Sequence, residues 1–168
     1  LVDAGQYFVL HAPRQVGKTT SLLSLAQALT AEGRYAAVVL SCEVGQAFGD
    51  DVDKAENAVL GSWRRDVIAR LPDALRPPLW PEALAGSRIR TTLDAWARAC
   101  PRPLVVFLDE FDALQGASLI SVLRQLRDPG RAPVATGLAR AALVVNEAGV
   151  AEARQILGQE ARRGLRAL

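Results

Sequence analysis

The chain has 168 residues, half of them hydrophobic and 23% charged, with a formal net charge of +2. That is the profile of one globular domain able to bury a core of its own, and it excludes an intrinsically disordered chain. The longest unbroken apolar runs, such as Ala36 to Leu40 and Leu104 to Leu108, fall far short of the roughly 20 residues needed to cross a bilayer, so no membrane-spanning helix is expected.

No charged start followed by an apolar segment precedes Tyr7, so a cytoplasmic location is expected rather than secretion. Cys42 and Cys100 lie far apart, form no metal-spacing cluster, and are expected to be buried thiols in a reducing compartment. The chain carries no methionine, not even at position 1, which leads to the expectation of a fragment whose true start lies upstream, or of an unusual start codon. Only Lys18 and Lys54 are lysines among 20 basic residues, a bias that suggests a GC-rich bacterial source and makes arginine a poor marker of function.

Gln6 to His11 reads as a first strand, nearly continuous in its apolar character as expected when both faces of a parallel sheet are covered. It feeds His11-Ala12-Pro13-Arg14-Gln15-Val16-Gly17-Lys18-Thr19-Thr20, and a helix over 19–31 follows with Leu22, Leu25, Ala26 and Leu29 on one face. The linking stretch matches Gly, four free positions, then Gly-Lys-Ser/Thr, except that Ala12 stands at the first glycine. A strand, a tight loop and a helix in that order aim backbone N–H groups and the positive helix end at one point, where a phosphate can sit. A chance Gly-Lys-Thr capping an ordinary helix is the alternative, and this order of elements counts against it.

Tyr35 to Ser41 is the second strand. The stretch 50–71 then places Val52, Ala55, Val59, Trp63, Val67 and Leu71 at helical spacing, with acids at its start where the dipole favours them. Pro72, Pro77, Pro78 and Pro81 make 72–86 an irregular insertion, with Leu79 and Trp80 expected to pack back on the body. Ser87 is a candidate cap for a helix to Cys100, along which Ile89, Leu93, Trp96 and Cys100 share a face. The three tryptophans are read as core rather than as a platform for an adenine, since Trp63 and Trp96 fall on apolar stripes.

Pro103 to Leu108 is the third strand, and it runs straight into Asp109-Glu110-Phe111-Asp112. Ligands of open α/β sheets bind at the carboxyl ends of strands, so these acids face the same edge as the loop at 12–19. Clustered carboxylates need a counter-charge, which Mg²⁺ with a nucleotide supplies. Simple capping of the next helix is the alternative. A helix over 117–128 follows, a turn at Asp128-Pro129-Gly130, a strand at 141–145 and a last helix at 148–168. The domain reading is therefore a core over 1–127 and a divergent segment over 128–168. From Arg124 on, the chain carries eight arginines against four acids. A solvated arginine-rich face is favoured there over a nucleic-acid surface, because no aromatic residue is interleaved to stack bases.

Together, residues 12–20 as a Walker A loop and Leu104 to Asp112 as a Walker B strand resemble the P-loop ATPases of the AAA+ and STAND branch. Pro13-Arg14-Gln15-x-Gly17-Lys18-Thr19 is especially similar to the AAA-like prokaryotic ATPases. The resemblance covers roughly residues 5–127. It implies a three-layer α/β sandwich with a mostly parallel sheet, and ATP and Mg²⁺ as cofactors. It implies a nucleotide cradle formed by Pro13, Arg14, Gln15, Val16, Gly17, Lys18, Thr19 and Thr20. Within it Lys18 would contact the β- and γ-phosphates, Thr19 and Asp109 would hold the metal, and Glu110 would polarise the attacking water. Family members insert a further strand, ending in a polar sensor, between the strands that carry the two motifs. Asn146 is a candidate for that sensor, although a chance asparagine after an apolar run is favoured, and a C-terminal lid is absent or unrecognisable. The expected function is Mg-dependent ATP hydrolysis by a switch or motor domain; the alternative is a nucleotide-binding regulatory or scaffold module, or a truncated ATPase, without turnover. Assembly with further copies or a partner protein stays open, since no arginine can be singled out as a finger acting in trans.

Overall fold

Strands of this chain are short apolar runs closed by a proline or a polar residue, and helices fill the intervals between them. The structure is a computed structural model that describes residues 8–11, 18–127, 138–145 and 166–167, with side chains over 19–126. Its order is β1 (Phe8–His11), α1 (Lys18–Ala31), β2 (Ala36–Ser41), α2 (Val52–Arg70), α3 (Arg88–Ala99), β3 (Leu104–Asp109), α4 (Gly116–Arg127), β4 (Leu138–Val145) and β5 (Arg166–Ala167). Short 3-10 turns at Glu43–Phe48, Asp73–Leu75 and Phe111–Ala113 link them.

The five strands form one sheet in the order β2-β3-β4-β1-β5, and every pairing is parallel. After β1 the chain crosses to the β2 edge and steps back through β3 to β4, which lies between β3 and β1. All strand C-termini therefore share one edge. Ser41 stands opposite Asp109, and His11 opposite Val145.

Parallel strands buried on both faces lack polar alternation. Here Ala36, Val38, Leu40, Leu104, Val106 and Leu108 face the helices α2, α3 and α4, while Ala37, Val39, Val105 and Phe107 face Leu22 and Ala26 of α1. The result is three layers. On the α2–α4 side, Trp63 and Trp96 are fully buried and Trp80 packs beside them. Each indole N–H finds a backbone carbonyl, on Ser41, Leu75 and Leu60 respectively, as burial of an indole requires. The outer backbone of β2 is also occupied: Thr30 Oγ1 bonds both Ala37 N–H and its carbonyl, and Arg70 donates to the Val39 carbonyl at 2.8 Å. Blocking an edge in this way keeps it from pairing with another chain.

Several expectations change on contact with the fold. Leu79 is 77% exposed, because it is Trp80 that fills the space beneath the proline-rich segment. Leu25 points out of α1, on the flank of the stripe formed by Leu22 and Ala26. Ser87 occupies the cap position of α3 without capping it, since its hydroxyl turns back to the Leu84 carbonyl at 2.8 Å. Cys100 is half-buried rather than buried, lying just past the end of α3 where solvent reaches it. Residues 166–167 pair with β1 as a strand, so the expected last helix does not extend through them. The remainder of 148–168, Asn146 and part of the arginine-rich segment lie outside the described residues.

Candidate functional site

The shared C-terminal edge of the sheet gathers the start of α1 and the ends of β2 and β3. Thr19 is the second residue of α1, and its hydroxyl donates to Asp109 Oδ2 at 2.6 Å across 90 residues of chain. That contact joins the two sequence motifs directly. Lys18 is the first residue of α1, and Thr20 is exposed one position beyond Thr19. Pro13, Arg14, Gln15, Val16 and Gly17 lie outside the described residues.

Asp109 ends β3 only 5% exposed, and burial of its polar oxygens requires hydrogen-bond partners. Oδ2 accepts the Thr19 hydroxyl and Oδ1 accepts the Glu110 N–H at 3.0 Å. Glu110 adopts φ 51 and ψ 36, the left-handed region, and is the one non-glycine with positive φ among the described residues. Such a conformation costs about 1–2 kcal/mol and persists only where its surroundings fix it.

Those surroundings include Ser41 at the end of β2. Its hydroxyl donates to Glu110 Oε2 at 3.1 Å, while its oxygen accepts the Glu43 N–H at 3.1 Å. The Glu110 carboxyl is pushed above the usual carboxylate range, chiefly by desolvation and further by the charges of Glu43 and Asp109, against the opposing bond from Ser41. Cys42 lies fully buried behind the pair, and its N–H donates to the Asp109 carbonyl at 3.0 Å. Burial, with the nearby charges of Asp109 and Glu110, holds its thiol far above the ordinary range.

Thr19, Asp109 and Glu110 thus lie together at this edge, whereas Asp112 sits on the turn beyond them. Sequence reasoning missed Ser41, Asp50 and Glu56. Ser41 carries a faint signal, as a hydroxyl closing an apolar strand. Asp50 and Glu56 carry none: Glu56 lies on the buried stripe of α2, 1% exposed, and its carboxylate accepts from Gln125 Nε2 at 2.5 Å and from the Gly86 N–H at 3.0 Å. Among the described residues no group of three or more His, Cys, Asp or Glu could hold a metal by itself. One carboxylate beside one hydroxyl is instead the sparse, hard-oxygen donor set that suits Mg²⁺, which keeps waters and takes phosphate oxygens for its other positions.

No family model and no curated protein matches this sequence. Among solved structures, the chain is similar to the crystal structure of Cdc6p from Pyrobaculum aerophilum, with a TM-score of 0.55 and 14% identity. The similarity covers 92% of this chain and 37% of that one, so the chain spans little more than a third of the structure it matches. What the two share is the fold. It is α/β, with helices on a parallel sheet as in the P-loop NTPase fold. Among the described residues no helix is long and apolar enough to cross a membrane.

Proposed function

We propose that this chain binds ATP with Mg²⁺ at the C-terminal edge of its sheet and hydrolyses the γ-phosphate. The observation that carries the reading is the 2.6 Å bond between Thr19 and Asp109, which brings the residue after the Gly17-Lys18 pair onto the acid that ends the neighbouring apolar strand. The bond satisfies a buried carboxylate, and it also sets two hard oxygen donors side by side across 90 residues of chain. A Mg²⁺-nucleotide needs both donors.

In this reading Thr19 Oγ1 and Asp109 would hold the Mg²⁺, which supplies charge neutralisation on the phosphate oxygens. The N-terminus of α1 contributes its first-turn N–H groups and positive dipole end to the phosphates, and Lys18, its first residue, contributes a mobile cation. Asp109 does no proton chemistry; its two bonds fix its orientation. Glu110 orients the attacking water and accepts its hydrogen bond. Desolvation and neighbouring acids make its carboxylate a stronger base than a solvated one. Ser41 donates to Glu110 Oε2 and so favours one orientation of that carboxylate. Phosphoryl transfer asks a protein mainly for positioning and charge neutralisation, and these residues supply both.

The test is phosphate release by the purified chain with ATP and Mg²⁺. Glu110→Gln is expected to retain ATP binding and lose turnover by about a hundredfold or more. Equal turnover in wild type and Glu110→Gln would remove Glu110 from the chemistry and favour the module that binds without hydrolysing.

A further inference from the structure

Two connectors leave the functional edge side by side, residues 41–50 after β2 and residues 110–118 after β3, and they are tied at both ends. At the sheet, Cys42 N–H donates to the Asp109 carbonyl and Ser41 Oγ to Glu110 Oε2. At the far end, Asp50 Oδ1 accepts the Ala117 N–H at 2.7 Å, and Ser118 Oγ donates to the Gly49 carbonyl at 2.5 Å. Between the ties Gly45 is buried so closely against Leu114 that a methyl group there would overlap the leucine.

Helix starts ordinarily take their side-chain acceptor from the residue just before them. Here α4 takes it from the other connector, 67 residues earlier in the chain. The approach is as close as atoms allow, since a Cβ on Gly116 would collide with the Asp50 carboxylate. The turn between β3 and α4 has a left-handed residue at each end, Glu110 at φ 51 and Gly116 at φ 54. Glycine takes that conformation freely, whereas Glu110 keeps it only while the surrounding structure fixes it.

We infer that Asp50 is a positioning residue for Glu110: by capping α4 from the neighbouring connector it fixes the 110–116 turn, and with it the backbone that aims the Glu110 carboxylate. The inference rests on the reading that Glu110 orients the attacking water. Asp50 is exposed and at the opposite end of the connectors from the bond between Thr19 and Asp109, so its loss acts on the turn and leaves nucleotide binding alone.

The test compares Asp50→Ala and Asp50→Asn with wild type by amide hydrogen exchange, MgATP affinity and phosphate release. In Asp50→Ala the amides of Ala113 and Leu114, which close the turn onto Glu110 and Phe111, are expected to exchange about tenfold faster, while those of β2 and β3 keep their protection. MgATP affinity is expected to stay within about twofold while kcat falls by about tenfold to a hundredfold. Asp50→Asn keeps the Oδ1 acceptor and is expected to restore both readouts. Unchanged exchange over 110–114 in Asp50→Ala would overturn the inference, as would an equal loss of affinity and kcat, or an Asp50→Asn variant as impaired as the alanine one. If Glu110→Gln turns over at the wild-type rate, the assigned role of Glu110 fails, and the exchange data still decide whether Asp50 fixes the turn.

Discussion

Replacing Thr19 by valine keeps the volume and the β-branching of the side chain and removes the hydroxyl that donates to Asp109. The Asp109 carboxylate is 5% exposed and divides its acceptors between the Glu110 N–H and Thr19. Hydrogen bonds to charged groups contribute about 1.5–3 kcal/mol, and a 2.6 Å O–H···O⁻ contact belongs to the strong, charge-assisted kind. Thr19 itself is exposed, so water replaces part of the lost bond and the low end applies, about 1.5 kcal/mol. For a chain of this length that shifts the thermal midpoint by about 3–6 °C. The assay is urea unfolding of the nucleotide-free protein, followed by tryptophan fluorescence, with Thr19→Ser as the control that keeps the hydroxyl. Thr19→Val is expected to unfold at lower urea with an unchanged slope, and Thr19→Ser to match wild type closely. A Thr19→Val protein as stable as wild type would refute the reasoning, because the bond joining the two motifs would then not be made in solution.

Other consequences are as specific. Gly116→Ala meets a positive φ and the Asp50 carboxylate together, so a loss of about 2–3 kcal/mol is expected in chemical denaturation; a change below about 0.5 kcal/mol would remove the close approach from the account. Native protein is expected to show one reactive thiol to an alkylating reagent at pH 8, Cys100, because Cys42 is buried and its thiol stays protonated; two thiols reacting at similar rates would contradict this. The sign of the Cys42 effect on stability follows. The folded state holds that proton more tightly than the unfolded chain, so the contribution is complete below the ordinary thiol value of 9.0 and is lost as pH rises beyond it. Cys42→Ala is expected to flatten this alkaline decline, and an unchanged decline in the variant would assign it elsewhere.

Much of the layout was legible because burial leaves a periodic trace. The continuous apolar runs at 36–40 and 104–108 read as strands covered on both faces, and the stripe from Ala55 to Leu71 as a helix on one of them. The motifs were legible because Gly17-Lys18-Thr19 and Asp109-Glu110 are polar exceptions at the ends of such elements. What stayed hidden depends on contacts between residues far apart in sequence. Asp50 is one acid among several near the start of α2, and nothing local says that it caps α4 while Asp51 caps α2 by accepting the Lys54 N–H. Glu56 sits at a core position where periodicity predicts an apolar residue, and only the approach of Gln125 and Gly86 makes its burial tolerable. Ser87 and Leu79 were misread for the same reason, since local rules named a cap and a core contact that Leu84 and Trp80 decided otherwise.

The central claim, that Lys18, Thr19 and Asp109 belong to one Mg²⁺-nucleotide site, is tested most directly by thermal unfolding with ATP, with and without Mg²⁺, in wild type and Lys18→Ala. A ligand that binds only the folded state stabilises it by about 2.7 kcal/mol at a hundred times its Kd, which is about 5–11 °C for a chain of this size. Wild type is expected to rise by that order with ATP and Mg²⁺ together and by clearly less once the metal is chelated, and Lys18→Ala is expected not to rise at all. A wild-type midpoint indifferent to MgATP, or a Lys18→Ala protein that rises equally, would contradict the account.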